Sequence, residues 1–186
     1  YNRSGIPLME IVSAPDMRSA EEASLYAKEI QKTVRAVGAS EADMEKGMMR
    51  FDINVSLRPK GVQELGTKVE IKNVNSFRAL ERAIAYEIER QSDLLEKGEN
   101  IAQETRGWND DTGMTESQRS KEAAHDYRYF PEPDLPPLEL EEKFVQKLRD
   151  SLPELPSVLR ARFLADYDLV EADAQQLSDD TNLGRY

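Results

Sequence analysis

Two stretches of the chain alternate apolar and polar residues, which is the pattern of a strand with one buried face. In residues 48–58 every second residue is apolar from Phe51 onward. Residues 66–73 repeat the pattern around Val69 and Ile71, after a turn that contains proline and glycine. We therefore expect two strands that pair in antiparallel fashion through a connection longer than two residues.

Two longer stretches carry apolar residues every three or four positions, which predicts amphipathic helices. The first helix is expected over about 20–37, where Ser19 and Glu22 form a capping box and Gly38 ends the helix. The second is expected over about 76–97. The apolar residues expected on the buried stripes are Leu25, Ile30, Val34 and Val37 in the first helix and Phe77, Leu80, Ile84, Ile88, Leu94 and Leu95 in the second.

Three further strand-like stretches are predicted at 6–13, 101–106 and 114–120. The first is an apolar run that contains Glu10. A carboxylate in such a run is either buried with a partner or a metal, or lies on the outer side of an edge strand. The last two stretches flank a turn-rich segment, in which we interpret Trp108 as a packing anchor.

The C-terminal part of the chain has a different pattern, with short amphipathic helices expected at 140–151, 156–167 and 170–178. We therefore divide the chain into a larger domain, residues 1–139, and the start of a helical domain, residues 140–186. The predicted fold class is α+β: an antiparallel sheet with packed helices, followed by a small helical segment.

Composition narrows the classes of protein further. The chain is 39% hydrophobic and 33% charged, which is typical of a soluble globular protein, and it has no apolar run long enough to span a membrane. It contains no cysteine, which excludes disulfides and thiolate metal sites. The net charge of −11 argues against a broad nucleic-acid-binding surface. No P-loop or glycine-rich dinucleotide-binding turn is visible.

The polar sides of the two alternating strands carry the candidate chemistry. They present Asp52 and Asn54 on the first strand and Lys68, Glu70 and Lys72 on the second. Facing side chains in an antiparallel pair lie about 5 Å apart, so two carboxylates on this side can share a Mg²⁺ ion. The neighbouring lysines could then contact the phosphate oxygens of a nucleotide beside that ion. The same alternation is the ordinary pattern of a solvated strand face, which spacing alone favours.

Five sequence blocks, in order, resemble the GatB family, the B subunits of glutamine-dependent aspartyl/glutamyl-tRNA amidotransferases. Residues 2–16 are similar to N-R-x-G-x-P-L-x-E-I-V-S-x-P-D, and residues 50–56 to R-x-D-x-N-x-S. Residues 66–77 are similar to G-T-K-x-E-x-K-N-x-N-S-F. Residues 103–106 and 125–137 match two later blocks of the family.

The resemblance implies a catalytic cradle domain related in fold to glutamine synthetase, acting as a carbon–nitrogen ligase with glutamine as the amide donor. In this family, ATP and Mg²⁺ phosphorylate the side-chain carboxylate of Glu or Asp mischarged on tRNA(Gln) or tRNA(Asn). Ammonia from the A subunit then displaces the phosphate. The implied partners are the A and C subunits and mischarged tRNA, and the implied location is the bacterial cytoplasm or an organelle.

Carried over position by position, the resemblance implies that Asp52 and Glu70 are catalytic residues that hold Mg²⁺, with Glu10 as a further metal candidate. The residues implied as phosphate or substrate contacts are Asn54, Lys68, Lys72 and Arg128. The family's other metal ligands and its tRNA-gripping tail belong to blocks outside residues 1–186, so we expect the chain to be inactive by itself.

Two other interpretations of the function stay open. In the first, this segment is a non-catalytic scaffold that docks the A and C subunits, and substitutions of Asp52 and Glu70 would be neutral. In the second, the chain belongs to an unrelated metal-dependent ligase or kinase with a similar sheet, which would turn over ATP without mischarged tRNA.

Overall fold

The computed structural model describes residues 5–120 and 133–180, with only the backbone described for residues 119 and 120. The elements in chain order are α1 (Ala20–Ala36), β1 (Phe51–Val55), β2 (Val69–Val74), α2 (Phe77–Glu96), β3 (Glu104–Asn109), β4 (Met114–Ser120), α3 (Glu142–Ser151), α4 (Pro156–Tyr167) and α5 (Glu171–Asp179). The α+β fold class is confirmed. All five of these helices lie close to their expected positions.

The four described strands form one sheet in the order β1-β2-β3-β4. The β1–β2 pair is antiparallel, as expected, and so is the β3–β4 hairpin. The prediction of a wholly antiparallel sheet is wrong, because β2 and β3 run parallel. The physical reason is the connection: α2 carries the chain back along the sheet before β3 begins, and such a helical crossover joins parallel strands.

A bulge interrupts the register of β2. Phe51 of β1 pairs with Val74, but Ile53 pairs with Ile71, so β2 carries one more residue than β1 between these two pairs. Asn73 has a φ of 63°, a left-handed conformation that asparagine tolerates better than most residues. The bulge allows both Ile71 and Val74 to face the core and turns the polar side of β2 at this point.

The connection between β1 and β2 is held by a close backbone approach. A Cβ atom on Gly66 would lie 1.9 Å from the carbonyl oxygen of Leu57, so a side chain cannot be placed there without moving the backbone. In the same connection the Arg58 guanidinium donates to the carbonyl oxygen of Gln63. Glycine at position 66 therefore allows the chain to enter β2 close to the end of β1.

The main core lies between the sheet and α2, with α1 packed against α2. Its buried members are Ala27, Val55, Ile71, Val74, Ala79, Leu80, Ala83, Ile84 and Trp108. Trp108 is a packing anchor, as predicted, with 2% of its surface exposed. The expected burial of Leu25 and Leu95 is wrong, since both are exposed. On α1 the buried positions include the small residues Ser24 and Ala27, and Ala27 belongs to the same core as the buried residues of α2.

A polar network that the hydrophobic pattern did not reveal lies between α2 and the sheet. Glu87 has no exposed surface, and its carboxylate accepts hydrogen bonds from Arg90 (2.6 Å), Gln91 (2.9 Å) and Thr115 (3.1 Å). These partners compensate the cost of burying its charge. The hydrogen bond from Arg90 to Glu87, together with their opposite charges, raises the pKa of Arg90 despite the opposing effect of burial.

Arg106 extends this network into the β3–β4 hairpin. Its Nη1 atom donates to Glu104 Oε1 at 2.7 Å, and its Nε and Nη2 atoms donate to the hydroxyl and carbonyl oxygens of Thr115, each at 2.7 Å. The hydroxyl of Ser117 also donates to Glu104. The network thus fixes β3 to β4 and to α2 on the helix-facing side of the sheet.

The segment from residue 5 to residue 14 contains no strand, which corrects the prediction for 6–13. Leu8 and Val12 are 80% and 75% exposed, and Glu10 is exposed as well. Of the two alternatives for Glu10, burial is therefore wrong, and the edge strand is wrong because no strand forms here. A strand needs a neighbour for its backbone hydrogen bonds, and none of the described strands pairs with this segment.

The C-terminal helices have a small core of their own, made of Leu159 and Phe163 from α4 and Ala174 from α5. Lys32 of α1 lies 2.7 Å from Asp179 of α5 and links the two parts of the chain. Over the described part of the chain, no helix combines the length and the apolar character needed to cross a membrane. The domain division at 139/140 stays a prediction.

We expect Glu87→Ala to lower the free energy of unfolding of the full-length protein by about 3 kcal/mol, because it leaves the buried donors of Gln91 and Thr115 and the partly buried Arg90 without their acceptor. The matched control is Glu89→Ala, an exposed position on the same helix. Urea unfolding followed by circular dichroism measures both. Equal effects of the two substitutions would contradict the stabilising role of the network.

Glu104 makes the stability depend on acid pH. Burial by itself raises the pKa of Glu104, but the hydrogen bonds from Ser117 and Arg106 and the charges of Arg106 and Arg90 lower it below the ordinary value of 4.5. Because the folded-state pKa is the lower one, this carboxylate stabilises the fold above about pH 4.5 and the contribution is lost as the pH falls through the folded-state pKa.

Glu104→Gln should therefore flatten the loss of stability between about pH 5 and pH 3, whereas Glu99→Gln, at an exposed position, should leave that loss unchanged. Unfolding midpoints of the full-length protein across this range measure the difference. A Glu104→Gln variant with the same pH slope as the unmodified protein would contradict the assignment.

Candidate functional site

The burial of β2 decides which of its side chains are available for chemistry. Val69 and Ile71 have no exposed surface, and Val74 has 1%, because they face α2. Glu70 and Lys72 alternate with them and so lie on the opposite side of the sheet. We call that side the polar face; it also carries Asp52 and Asn54 from β1, with Asn54 paired directly opposite Glu70.

Lys72 lies between the two acids on the polar face. Its Nζ atom is 3.3 Å from Asp52 Oδ2 and 3.8 Å from Glu70 Oε1. The side chain of Glu70 is 14% exposed and that of Asp52 is 52% exposed, so one acid is held within the sheet and the other reaches solvent. The structure thus brings Asp52, Glu70 and Lys72 together around one point, as the alternation predicted.

Glu70 has a second partner on the polar face. The hydroxyl of Thr105 donates to Glu70 Oε2 at 2.8 Å, and Thr105 is paired with Glu70 across the parallel β2–β3 ladder. Thr105 is 2% exposed. Sequence reasoning placed residues 103–106 in a matching block but gave Thr105 no role, because its contact depends on the parallel pairing that the pattern of the strands did not reveal.

The carboxyl end of β2 is tied to β3 and to the start of α2. The Asn73 side-chain amide donates to the carbonyl oxygen of Trp108 at 2.9 Å, and the Asn75 amide donates to Asn73 Oδ1 at 3.3 Å. Ser76 then caps α2 by accepting from the amide of Ala79. These contacts hold the left-handed Asn73, and with it the turn of the strand beside Lys72.

An open recess of about 450 Å³ continues the polar face toward the β3–β4 turn. The polar residues that line it are Asn73, Asn109, Asp110, Asp111, Glu116, Ser117 and Gln118, of which Ser117 directs its hydroxyl to Glu104. Its floor includes Gly107, which is paired with Lys72 and over which the Gln118 side chain lies. The recess therefore begins at the residue paired with Lys72, while Asp52, Glu70 and Lys72 themselves do not line it.

The remaining predicted site residues fall in different places. Asn54 is exposed opposite Glu70, and Lys68 is exposed immediately before β2. Glu10 is exposed in the segment without a strand. Arg128 lies outside the described residues. The roles of these four residues stay predictions.

The donor set on the polar face fits a hard cation. Within residues 5–120 and 133–180, no group of three or more His, Cys, Asp or Glu is placed to hold a metal ion, so Asp52 and Glu70 supply a pair of carboxylates and not a complete cage. Mg²⁺ at nucleotide sites commonly uses one or two carboxylates, with waters and phosphates in the remaining positions. An ammonium already held between both acids shows that the position favours positive charge.

Comparison with known proteins shows the family to which the chain is similar. The family model described as the GatB/GatE catalytic domain matches residues 1–146. The chain is 56% identical over 186 residues to the B subunit of the aspartyl/glutamyl-tRNA(Asn/Gln) amidotransferase of Herpetosiphon aurantiacus, and the match covers 100% of this chain and 38% of that relative. It is 52% identical over 186 residues to the B subunit of the same name from Carboxydothermus hydrogenoformans, with 100% of this chain and 39% of the relative covered.

A third similar protein of the same name comes from Persephonella marina. It is 54% identical to this chain over 176 residues, which are 95% of this chain and 37% of that relative. The chain therefore spans well under half the length of these curated relatives.

Proposed function

The chain belongs to the GatB/GatE catalytic-domain family, and we propose that it carries the phosphorylation site of the B subunit of a tRNA-dependent amidotransferase. The observation that carries the proposal is the arrangement of Asp52, Lys72 and Glu70 on the polar face. Because the chain spans 38% of such a relative, the complete activity belongs to a longer protein and its partner subunits.

The proposed reaction amidates Glu or Asp that is mischarged on tRNA(Gln) or tRNA(Asn). The side-chain carboxylate of the aminoacyl group attacks the γ-phosphorus of ATP, which releases ADP and forms an acyl phosphate. Ammonia, released from glutamine in the A subunit, then attacks the acyl carbon. The carbon–oxygen bond to phosphate breaks, the new amide stays on the tRNA, and inorganic phosphate leaves with the proton that ammonia lost.

In this proposal Asp52 and Glu70 hold Mg²⁺, and Lys72 meets phosphate oxygens beside it. When bound, the ion would screen the negative charges of the phosphates and of the substrate carboxylate. Lys72 supplies a second positive charge for the same purpose, and the recess next to it provides space for a bound group. Asn54 and Lys68 are proposed contacts to the substrate or its phosphates.

Lys72 has two proposed positions. Without a divalent ion its ammonium neutralises Asp52 and Glu70, which would otherwise repel one another. A divalent ion held by Asp52 and Glu70 would repel the ammonium, and the flexible Lys72 side chain could then reach phosphate oxygens. The lysine therefore competes with the metal for the acids and cooperates with it in stabilising phosphate.

The tRNA is proposed to be bound mainly outside this chain, because a net charge of −11 gives it little attraction for a phosphate backbone. The proposed partners are the A subunit, which supplies ammonia, and the C subunit. The proposed setting is the bacterial cytoplasm, since the relatives named above come from bacteria.

Docking of the partner subunits is a second candidate function. The helix α3 has no buried residue, and its apolar side chains Phe144 and Leu148 are 49% and 51% exposed. Leu8 and Val12 near the start of the chain are exposed too. Exposed apolar residues in such groups are typical of interaction surfaces. If this chain only docks the partner subunits, substitution of Asp52 or Glu70 would not change the activity of the enzyme.

The acids can be tested one at a time in the intact multi-subunit enzyme. We expect Asp52→Asn and Glu70→Gln each to lower ATP-dependent phosphate release with mischarged tRNA by at least about 100-fold at low Mg²⁺. Raising the Mg²⁺ concentration should recover part of the rate. The control is Glu81→Gln, an exposed position on α2, which should run at the unmodified rate.

The same experiment separates the candidate functions. Near-unmodified rates for both acid variants would support docking alone and contradict the metal site. Phosphate release that proceeds equally without mischarged tRNA would instead favour an unrelated ATP-using enzyme. Glutamine hydrolysis in the A subunit, measured in parallel, shows whether each variant complex is correctly assembled.

If Lys72 competes with the divalent ion for the two acids, Lys72→Met should change metal binding and phosphate release in opposite directions. We expect tighter binding of the divalent ion in the absence of ATP, by about fivefold, because the ammonium no longer occupies the position between the acids. Phosphate release should nevertheless fall by about tenfold or more, since a phosphate contact is lost. Mn²⁺ binding followed by electron paramagnetic resonance and the release assay measure the two effects.

Lys60→Met, in the exposed turn between β1 and β2, is the control for charge removal near the site. It should leave both quantities unchanged. Weaker Mn²⁺ binding in Lys72→Met would contradict the competition and indicate that the lysine helps to hold the site together.

A further inference from the structure

We propose that Thr105 is a positioning residue that aims one oxygen of Glu70 at the cation position between Glu70 and Asp52; this rests on the proposed function of that site. Thr105 donates to Glu70 Oε2, while Glu70 Oε1 faces Lys72. The hydroxyl therefore decides which carboxylate oxygen is turned away. In the proposed arrangement it would act through Glu70, which it contacts directly.

The position of the Thr105 side chain is fixed by its burial and by its place in the sheet. It is 2% exposed, and it pairs with Glu70 in the ladder between two neighbouring strands of the sheet. The next residue, Arg106, points to the opposite side of β3 and is bound to Glu104 and Thr115 there. Because the strand is fixed from the helix-facing side, the position of the hydroxyl on the polar face is fixed as well.

The hydrogen bond restricts a side chain that would otherwise have several orientations. A glutamate has three side-chain torsions, and fixing them costs conformational entropy each time a ligand binds. Thr105 restricts them before the ligand arrives, so that Glu70 Oε1, which faces Lys72, is the oxygen that would hold the ion. Turning Oε2 toward the same position would strain this hydrogen bond, so the hydroxyl favours the use of Oε1 as the oxygen that would hold a cation.

The test uses the intact multi-subunit enzyme with Thr105→Val, which keeps the shape of the side chain but removes the hydroxyl. We expect the Mg²⁺ concentration for half-maximal phosphate release to rise by about tenfold or more, while the rate at saturating Mg²⁺ stays within about twofold. Mn²⁺ binding without ATP, measured by electron paramagnetic resonance, should weaken by the same factor. Thr105→Ser, which restores the donor, should recover both values.

Thr115→Val is the matched control. Thr115 is also a buried threonine of this sheet whose hydroxyl donates to a carboxylate, but that carboxylate is Glu87 on the helix-facing side. In this variant Arg106 keeps its hydrogen bonds to Glu104 and to the carbonyl oxygen of residue 115. We therefore expect the substitution to lower the unfolding midpoint without changing the Mg²⁺ requirement. If Thr105→Val behaves like Thr115→Val, and lowers stability alone, the hydroxyl is structural and the proposal is wrong.

Glu70→Gln in the same assays distinguishes the two ways in which the idea can fail. If Glu70→Gln leaves the Mg²⁺ requirement unchanged, the metal site itself fails and the role of Thr105 fails with it. If Glu70→Gln raises the requirement but Thr105→Val does not, only the positioning role is overturned. Thr105→Ala replaces Thr105→Val in these comparisons if the valine variant does not fold. When Thr105→Ala is combined with Glu70→Gln, it should have no further effect on metal binding.

Discussion

The burial of one side of β2 is the constraint on which the rest of the site depends. Val69 and Ile71 are completely buried against α2. Because side chains alternate along a strand, Glu70 and Lys72 must lie on the opposite side of the sheet. A slip of one residue in register would reverse both sets. Since β2 lies inside the sheet, Glu70 also receives neighbours from both flanking strands.

The two sides of β3 make different contacts, one with the buried network under α2 and one with Glu70. On the helix-facing side, Arg106 connects the hairpin to the buried carboxylate network around Glu87. On the polar face, the adjacent Thr105 contacts Glu70. The stability of the fold and the placement of the candidate metal ligand are thus coupled through consecutive residues of one strand. This coupling explains how a site with a half-exposed Asp52 can still have one firmly placed acid.

The sequence predicted well those features that depend on local periodicity. The helices and the β1–β2 pair follow from spacing and caps, and the antiparallel pair was enough to bring Asp52 near Glu70. Features that depend on distant partners were missed: the parallel β2–β3 pairing, the burial of Glu87, and the contact of Thr105 with Glu70. The apolar run around Glu10 was wrongly interpreted as a strand, because apolar character indicates burial but does not identify a partner.

The central claim is that Asp52 and Glu70 hold a divalent ion at the position where Lys72 now lies. Anomalous diffraction from crystals of the intact enzyme grown with Mn²⁺ in place of Mg²⁺ tests it most directly. We predict a peak about 2.1 Å from an oxygen of each acid, with the Lys72 ammonium displaced from between them. A Mn²⁺ peak bound elsewhere, with Lys72 still bridging the two acids, would contradict it.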